Sequence, residues 1–308
     1  MRHVTIKDIA RQLNISPSTV SRALRDHPDI SRATKDRILA MAAQFNYQPN
    51  LIAKSLQTRR TNTIGVIVPE IRHNFFSTAI SGIEDTAYMA GYTIMVCQSN
   101  DTYQREAVNT AALVANRVAG VLASVSQETK DVAHLQRVMQ QGIPLVLFDR
   151  VDDKLAASKV VVDDHDGAYA AVAHCIQRGY TRIAHIGASP NLSISRQRRA
   201  GYEKALTDHG LTIDPKFIVV EGCPEADGRI GAQKLLARTE PPDAIFAVND
   251  PVAIGAHIYL KETGTRIPED VALVGFSNNP ISALLEPALT TVNQPAFEMG
   301  QTAAGLLL

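Results

Sequence analysis

A chain of 308 residues is too long for one compact core, so two or more domains are expected. Its 45% apolar content is ordinary for a soluble globular protein, and the longest apolar runs (residues 64–68 and 143–148) are strand-sized, which excludes a helical membrane span. The formal net charge is zero but unevenly spread: residues 1–60 hold 11 Lys+Arg against 4 Asp+Glu, and the other 248 hold 20 against 27. A basic module for a polyanion joined to a mildly acidic body is implied. The start, MRHVTIKDIARQLN, lacks the apolar core of a secretory leader, so a cytoplasmic location is expected. The three cysteines (Cys97, Cys175 and Cys223) are far apart and beside apolar runs, which reads as buried free thiols.

The first predicted helix starts at Thr5, with Asp8 three residues on and an apolar stripe of Ile6, Ile9, Ala10 and Leu13. Asn14-Ile15 breaks it. Ser16 then suits an N-cap and Pro17 the first helical position, where its missing N–H needs no partner. On a 100° wheel Val20, Ala23 and Leu24 share one side of residues 17–25. Ser18, Arg22 and Arg25 lie opposite, with Pro17 and Ser21 at the flank. A third helix from near Ser31 carries Ile38, Met41, Ala42 and Phe45 at helical spacing, completing a helix-turn-helix unit. Small hydroxyl residues allow close approach to a duplex, and Arg22 can make a bidentate contact with guanine. Pro49 ends the third helix, and Asn50 can cap a short helix from Leu51 to Leu56 that would form only against a partner. Residues 57–62 read as a polar, basic linker.

The run T-I-K-D-I-A-x-x-L-x-I-S-x-S-T-V-S-R-A-L, then N-Y-x-P-N-x-x-A-x-S-L and T-x-x-I-G-V-I-V-P, resembles the lactose-repressor (LacI/GalR) family of bacterial transcription factors. The resemblance runs from about residue 3 to the end of the chain. It implies that residues 17–24 are a recognition helix, with Pro17, Ser18 and Arg22 reading bases. Thr5, Ser16, Thr19, Ser21 and Asn50 would be phosphate contacts or caps. Residues 50–57 would be a hinge helix paired with its dimer mate in the minor groove. There Leu56 would be a wedge that kinks the operator, with Ala53, beside Lys54, packed closely against the groove.

From Thr63 the pattern changes to short β-branched runs separated by helical stretches such as residues 79–90 and 167–178. Nine predicted strands (IGVIVP, TIMVCQ, GVLASV, PLVLFD, KVVVDD, RIAHIG, FIVVEG, DAIFAVND and VALVGFS) imply parallel sheets in βαβ order, in two doubly wound units. Ligands bind such sheets beyond the carboxyl ends of the strands. The candidates there are Asn74, Phe75 and Phe76, Asp149 and Arg150, Asp163 and Asp164, Arg196 and Arg198, Asn249 and Asp250, and Ser277 and Asn278, all read as loop residues. Phenylalanine faces with converging Asp, Asn and Arg suit a sugar or nucleoside-like ligand.

This region is similar to the family's effector domain and to periplasmic sugar-binding proteins. R-x-x-G-Y (198–202), V-N-D-x-x-A-x-G (248–255), V-A-L-V-G-F (271–276) and P-x-L-T-T-V-x-Q-P (287–295) carry the resemblance. It implies a ligand-clamping role for Arg198, with Asn249 on the opposing loop. Where the family has an acidic pair or Asp-Asn after Val-Gly-Phe, this chain has Ser277-Asn278-Asn279. That change, with Arg150, Arg196 and Arg198 nearby, leaves a phosphorylated or acidic sugar open beside a neutral one.

The expected architecture is an all-α helix-turn-helix domain (1–48), a hinge helix and linker (49–62), and a periplasmic-binding-protein-like α/β effector domain with parallel sheets. Its subdomains are expected at 63–160 with 292–308, and at 161–291. The resemblance implies a homodimer on a pseudo-palindromic operator, with affinity set by a small-molecule effector. Relatives usually continue about 30 residues further, and no leucine heptads for a tetramer are present, so a dimer is expected. A solute-binding protein or a cytoplasmic sugar-binding protein would account for the body but not the basic arm. No Walker loop, G-x-G-x-x-G after a strand, G-x-S-x-G or H-E-x-x-H is found, so neither an enzyme nor a cofactor is expected. Asp163-Asp164-His165-Asp166 reads as a helix cap or effector loop rather than a metal site.

Overall fold

The computed structural model describes residues 4–47 and 61–308. The segment expected to form the hinge helix, with Asn50, Ala53, Lys54 and Leu56, lies outside the described residues. The chain divides into two compact units, 1–61 and 62–308.

Among its described residues the first unit has three helices: α1 (Ile6–Leu13), α2 (Pro17–Leu24) and α3 (Arg32–Gln44). The amide and hydroxyl of Thr5 both donate to Asp8 Oδ2, at 2.9 and 2.7 Å, which fixes the start of α1. Asn14 ends α1 in the left-handed region, at φ 53°. Ser16 caps α2 by accepting from the Thr19 amide at 3.0 Å, with Pro17 in the first turn. Ser31 caps α3 in the same way. Ile9, Ala10, Val20, Ala23, Ile38 and Ala42 form the buried core, with Leu24, Met41 and Phe45 packed against it.

The second unit holds two five-stranded parallel sheets. The first, in the order β2-β1-β3-β4-β5, comprises β1 (Thr63–Val68), β2 (Thr93–Gln98), β3 (Gly120–Ala123), β4 (Leu145–Phe148) and β5 (Ser158–Val160). The second, in the order β10-β9-β8-β6-β7, comprises β6 (Ile183–Gly187), β7 (Ile218–Val220), β8 (Ala244–Ala247), β9 (Ala272–Ser277) and β10 (Thr290–Asn293). The central strands are apolar on both faces, as sheets covered by helices on both sides require. The tenth strand was not expected. Its TTVN run is short and partly exposed, and it pairs with β9 at the sheet edge.

The helices are α4 (Asn74–Met89), α5 (Tyr103–Ala115), α6 (Ala133–Gln140), α7 (Asp164–Gln177), α8 (Ser193–Asp208), α9 (Glu225–Leu236), α10 (Asp250–Glu262) and α11 (Ala296–Leu307). The chain leaves the first sheet after β5 and, after β10, returns to it through α11. The α11 residues Ala303 and Ala304 share a core with Ile83 of α4 and Phe148 of β4. Helix crossings are close enough to require glycine. A Cβ on Gly82 of α4 would lie 2.1 Å from the Phe297 carbonyl oxygen, and one on Gly300 of α11 would lie 2.0 Å from that of Ala79. Among the described residues no helix is long and apolar enough to cross a membrane. All three cysteines are free; Cys175 and Cys223 are buried and Cys97 is half-buried.

Candidate functional site

The recognition candidates fall on the outer side of α2. Val20 and Ala23 are buried, whereas Pro17, Ser18, Arg22 and Arg25 are exposed. Ser16 Oγ lies 2.7 Å from the Ser18 hydroxyl and 2.8 Å from that of Thr19, forming a hydroxyl cluster at the positive end of the helix. Thr5 is occupied locally by Asp8, and Ser21 is half-buried. An exposed arginine, small hydroxyls and a helix N-terminus make a surface able to meet phosphates and base edges.

In the second unit a small cavity of about 50 Å³ lies between the two sheets, beyond the carboxyl ends of their strands. That is room for one or two waters, far below the ~300 Å³ of a small-molecule pocket. Arg150 fills much of it. Its guanidinium sits 5.7 Å from the Phe76 ring centre, and its Nη1 donates to Asp101. Its Nε is buried without a partner.

Opposite, Arg198 is 1% exposed. Its Nε donates to Asp164 at 2.8 Å, its Nη1 donates to the Val248 carbonyl at 2.6 Å, and its guanidinium lies 3.8 Å from the Phe276 ring centre. Nη2 lies 2.7 Å from the same Asp164 oxygen but makes no hydrogen bond of its own.

Asp149 lies at the junction, with a left-handed φ of 59°. Burial pushes its carboxyl up to about 6, against the pull of Arg150 and Arg198. Gln294 Oε1 accepts from Ser277 Oγ at 2.8 Å, while its Nε2 is buried without a hydrogen bond. Burial lowers the His73 imidazole below its ordinary range. It also keeps the Cys223 thiol protonated.

The cavity gathers Asn74, Phe75, Phe76, Asp149, Arg150, Arg198 and Asn249 from the sequence-based candidates. Five others, Asp163 among them, lie elsewhere. Asp164 stands behind Arg198 as its ion-pair partner. Arg196 is exposed and holds the carbonyls of Pro190 and Asn191. Asp250 is fully buried and accepts from the Asn279 amide and the hydroxyls of Ser282 and Thr291, so it ties β8, β9 and β10 together. Asn278 is exposed and bonded to Asn293.

Asn249 reaches the cavity, but its Oδ1 caps α10 and its Nδ2 donates to the Cys223 carbonyl, so most of its bonding capacity is structural. Asn74–Phe76, Asp164, Arg196, Arg198 and Asp250 are in helices rather than loops. Asp163 caps α7 through the Asp166 amide. Ser277, also among the candidates, lines the cavity too; Glu70, His73, Asp101, Cys223 and Gln294 line it and were not anticipated. Only their position just after a strand could have marked them.

Residues 5–50 match the family described as bacterial regulatory proteins, lacI family, and residues 172–308 match the periplasmic binding protein-like domain. The chain is 32% identical over 305 residues to the HTH-type transcriptional repressor PurR of Vibrio atlanticus, covering 99% of this chain and 91% of that protein. Among solved structures, the lac repressor dimer bound to operator and the anti-inducer ONPF has a TM-score of 0.87 at 25% identity, covering 99% of this chain and 92% of that one. The complex of the transcriptional regulator CelR with cellobiose has a TM-score of 0.73 at 26% identity, with the same two coverages. With its helix-turn-helix unit and ligand-binding α/β domain, the chain belongs to the LacI family of transcriptional regulators, whose work is regulatory and not enzymatic.

Proposed function

We propose that the protein is a dimeric repressor whose affinity for a pseudo-palindromic operator is set by an uncharged, polyhydroxylated ligand held in the cleft between the two sheets. The observation that carries the ligand class is the cavity's mixture of free groups. Arg150 Nε is a donor without an acceptor, and the Asp149 carboxyl, with Gln294 beside it, is an acceptor in the same cavity. A hydroxyl can both accept from the first and donate to the second. An acidic or phosphorylated sugar fits less well, because the lining acids Glu70, Asp101 and Asp149 outnumber Arg150 and Arg198. Phe75 and Phe76 offer apolar faces to a ring. A ring can enter only when Arg150 leaves its place over Phe76, so ligand binding is coupled to the Arg150–Asp101 pair. The solved CelR complex contains cellobiose, which agrees with this class.

Two identical subunits on an operator need a self-complementary face. Ile254, Ile258 and Ile281 line a groove of about 630 Å³ beside the start of α4, and Leu284, in the same loop as Ile281, is 82% exposed. Coupling then follows if the ligand changes how the two halves of the second unit meet, and with it the spacing of the paired DNA-binding units.

The test is operator binding, followed by fluorescence anisotropy, with a panel of sugars, sugar phosphates and nucleosides, beside a thermal-shift screen of the same panel. Neutral sugars are expected to raise the melting temperature and to change operator affinity. Hits confined to phosphorylated sugars would overturn the ligand class, and hits that leave operator affinity untouched would overturn the coupling.

A further inference from the structure

A larger space lies next to the small cavity. Toward solvent, between the same two halves of the second unit, lies a groove of about 780 Å³ lined by Tyr103, Gln127 and Glu128 on one side and Asn191 and Glu221 on the other. Three loops line both spaces. Asp101, Ile194 and Cys223 face the inner cavity, and Tyr103, Asn191 and Glu221, two or three residues away, face the outer groove. The Gln127 amide donates to Asp101 Oδ1 at 3.0 Å, so the walls of the two are joined directly. Asn191 Nδ2 reaches across the groove to the Gln127 carbonyl at 3.4 Å. The two spaces are thus neighbours along the seam between the two halves of the second unit.

The outer end has its own chemistry. Tyr103 is 37% exposed, yet its ring is held edge-on against His134, with centroids 5.2 Å apart and planes at 89°. His134 is fixed in turn by a buried network. Glu106, 1% exposed, accepts from His134 Nε2 and the Thr129 hydroxyl, both at 2.8 Å, and from the Ser126 amide. A buried carboxylate satisfied by three donors makes a rigid anchor. What it holds here is an aromatic face at the edge of the groove. Around that face Glu128 and Asp131 outnumber Lys130, while Glu221 is paired with Lys234, so the groove offers acceptors to hydroxyls and disfavours anions.

We infer that the outer groove is a second ring subsite and that the effector is a disaccharide or longer oligosaccharide. Its first ring enters the inner cavity and the next lies against Tyr103. This rests on the reading of the cleft as a sugar site. The Glu106–His134 pair positions the Tyr103 ring and touches no ligand.

Titration calorimetry with glucose, galactose and xylose, and with cellobiose, maltose, lactose and xylobiose, tests the inference on the full chain. At least one disaccharide is expected to bind about tenfold or more tighter than its component monosaccharides. Tyr103→Leu, which keeps apolar bulk against His134, and Tyr103→Ala are both expected to shrink that advantage to about threefold or less. A monosaccharide that binds as tightly as every disaccharide would overturn the second subsite alone. So would an advantage that survives both substitutions in variants of unchanged melting temperature. If no sugar of either length binds, the sugar reading of the whole cleft is overturned, and the subsite with it.

Discussion

At the scale of single residues, Arg22 is the exposed side chain on α2 best suited to read a base, because its neighbours Pro17 and Ser18 offer little that distinguishes one base from another. Arg22→Ala is expected to cost about 1–3 kcal/mol at the operator and far less on random duplex, as competition anisotropy would measure. Equal losses on both would assign Arg22 to the phosphates. Two buried groups of the second unit give opposite pH dependences. The Asp149 carboxyl, raised from 3.8 to about 6, contributes stability that is present below pH 4 and lost as the pH rises through 6. His185 is lowered from 6.5 to about 4 because its ring is buried between Tyr202 and Phe246. Its contribution has the reverse sign and is lost as the pH falls from 6.5 through 4. The two largely offset each other. Asp149→Asn removes one of them, so its stability relative to wild type is expected to rise by about 3 kcal/mol between pH 4 and pH 7, read by urea unfolding at each pH. A difference that does not vary with pH would mean that Asp149 does not titrate in this window.

At the scale of elements, two glycines in the resemblance motifs have a packing role. A Cβ on Gly201, in R-x-x-G-Y, would lie 2.1 Å from the His165 carbonyl oxygen where α8 crosses α7. One on Gly255, in V-N-D-x-x-A-x-G, would lie 1.8 Å from that of Glu225 where α10 crosses α9. Gly201→Ala is expected to cost about 1–3 kcal/mol or more, seen as a lower melting temperature. It should also disturb ligand response, because Asp164 on α7 and Arg198 on α8 meet beside that crossing. The strands were legible because their apolar runs are continuous. β10 was not, since TTVN is short and partly exposed. The first turns of α4, α8 and α10 read as loops because their polar residues resemble the strand ends they follow. Placing Asp149 and Arg150 in the cleft needed only their position after a strand, whereas Arg198, inside α8, was placed by the R-x-x-G-Y resemblance. Excluding Arg196, Asp250 and Asn278 needed side-chain direction, which sequence spacing does not carry. Asp101 belongs to no motif and Gln294 stands in P-x-L-T-T-V-x-Q-P only as part of the resemblance, so only the convergence of two sheets reveals them as lining residues.

At the scale of the whole molecule, the proposed function depends on two copies meeting. Leu284→Glu is expected to shift the dimer to monomer in sedimentation equilibrium and to lower operator affinity, because a buried charge opposes an apolar interface. A variant that remains dimeric would place the interface elsewhere. With +7 net charge on residues 1–60, operator affinity should fall by about 10³–10⁵ between 50 and 200 mM salt if 6–10 phosphates are contacted. A flat salt response would remove the electrostatic basis of the reading.

The return of α11 to the first sheet also bears on the order in which the chain can fold during synthesis. The DNA-binding helices leave the ribosome first, and the second sheet is complete by Asn293. The first sheet, made earlier, must wait for α11, and until then the faces of Ala79, Ile83 and Phe148 that α11 covers stay open to solvent. A chain cut after Gln294 is expected to keep the second sheet folded while the first binds an apolar dye. Such a chain could still present a DNA-reading helix but would have no finished sensor to govern it.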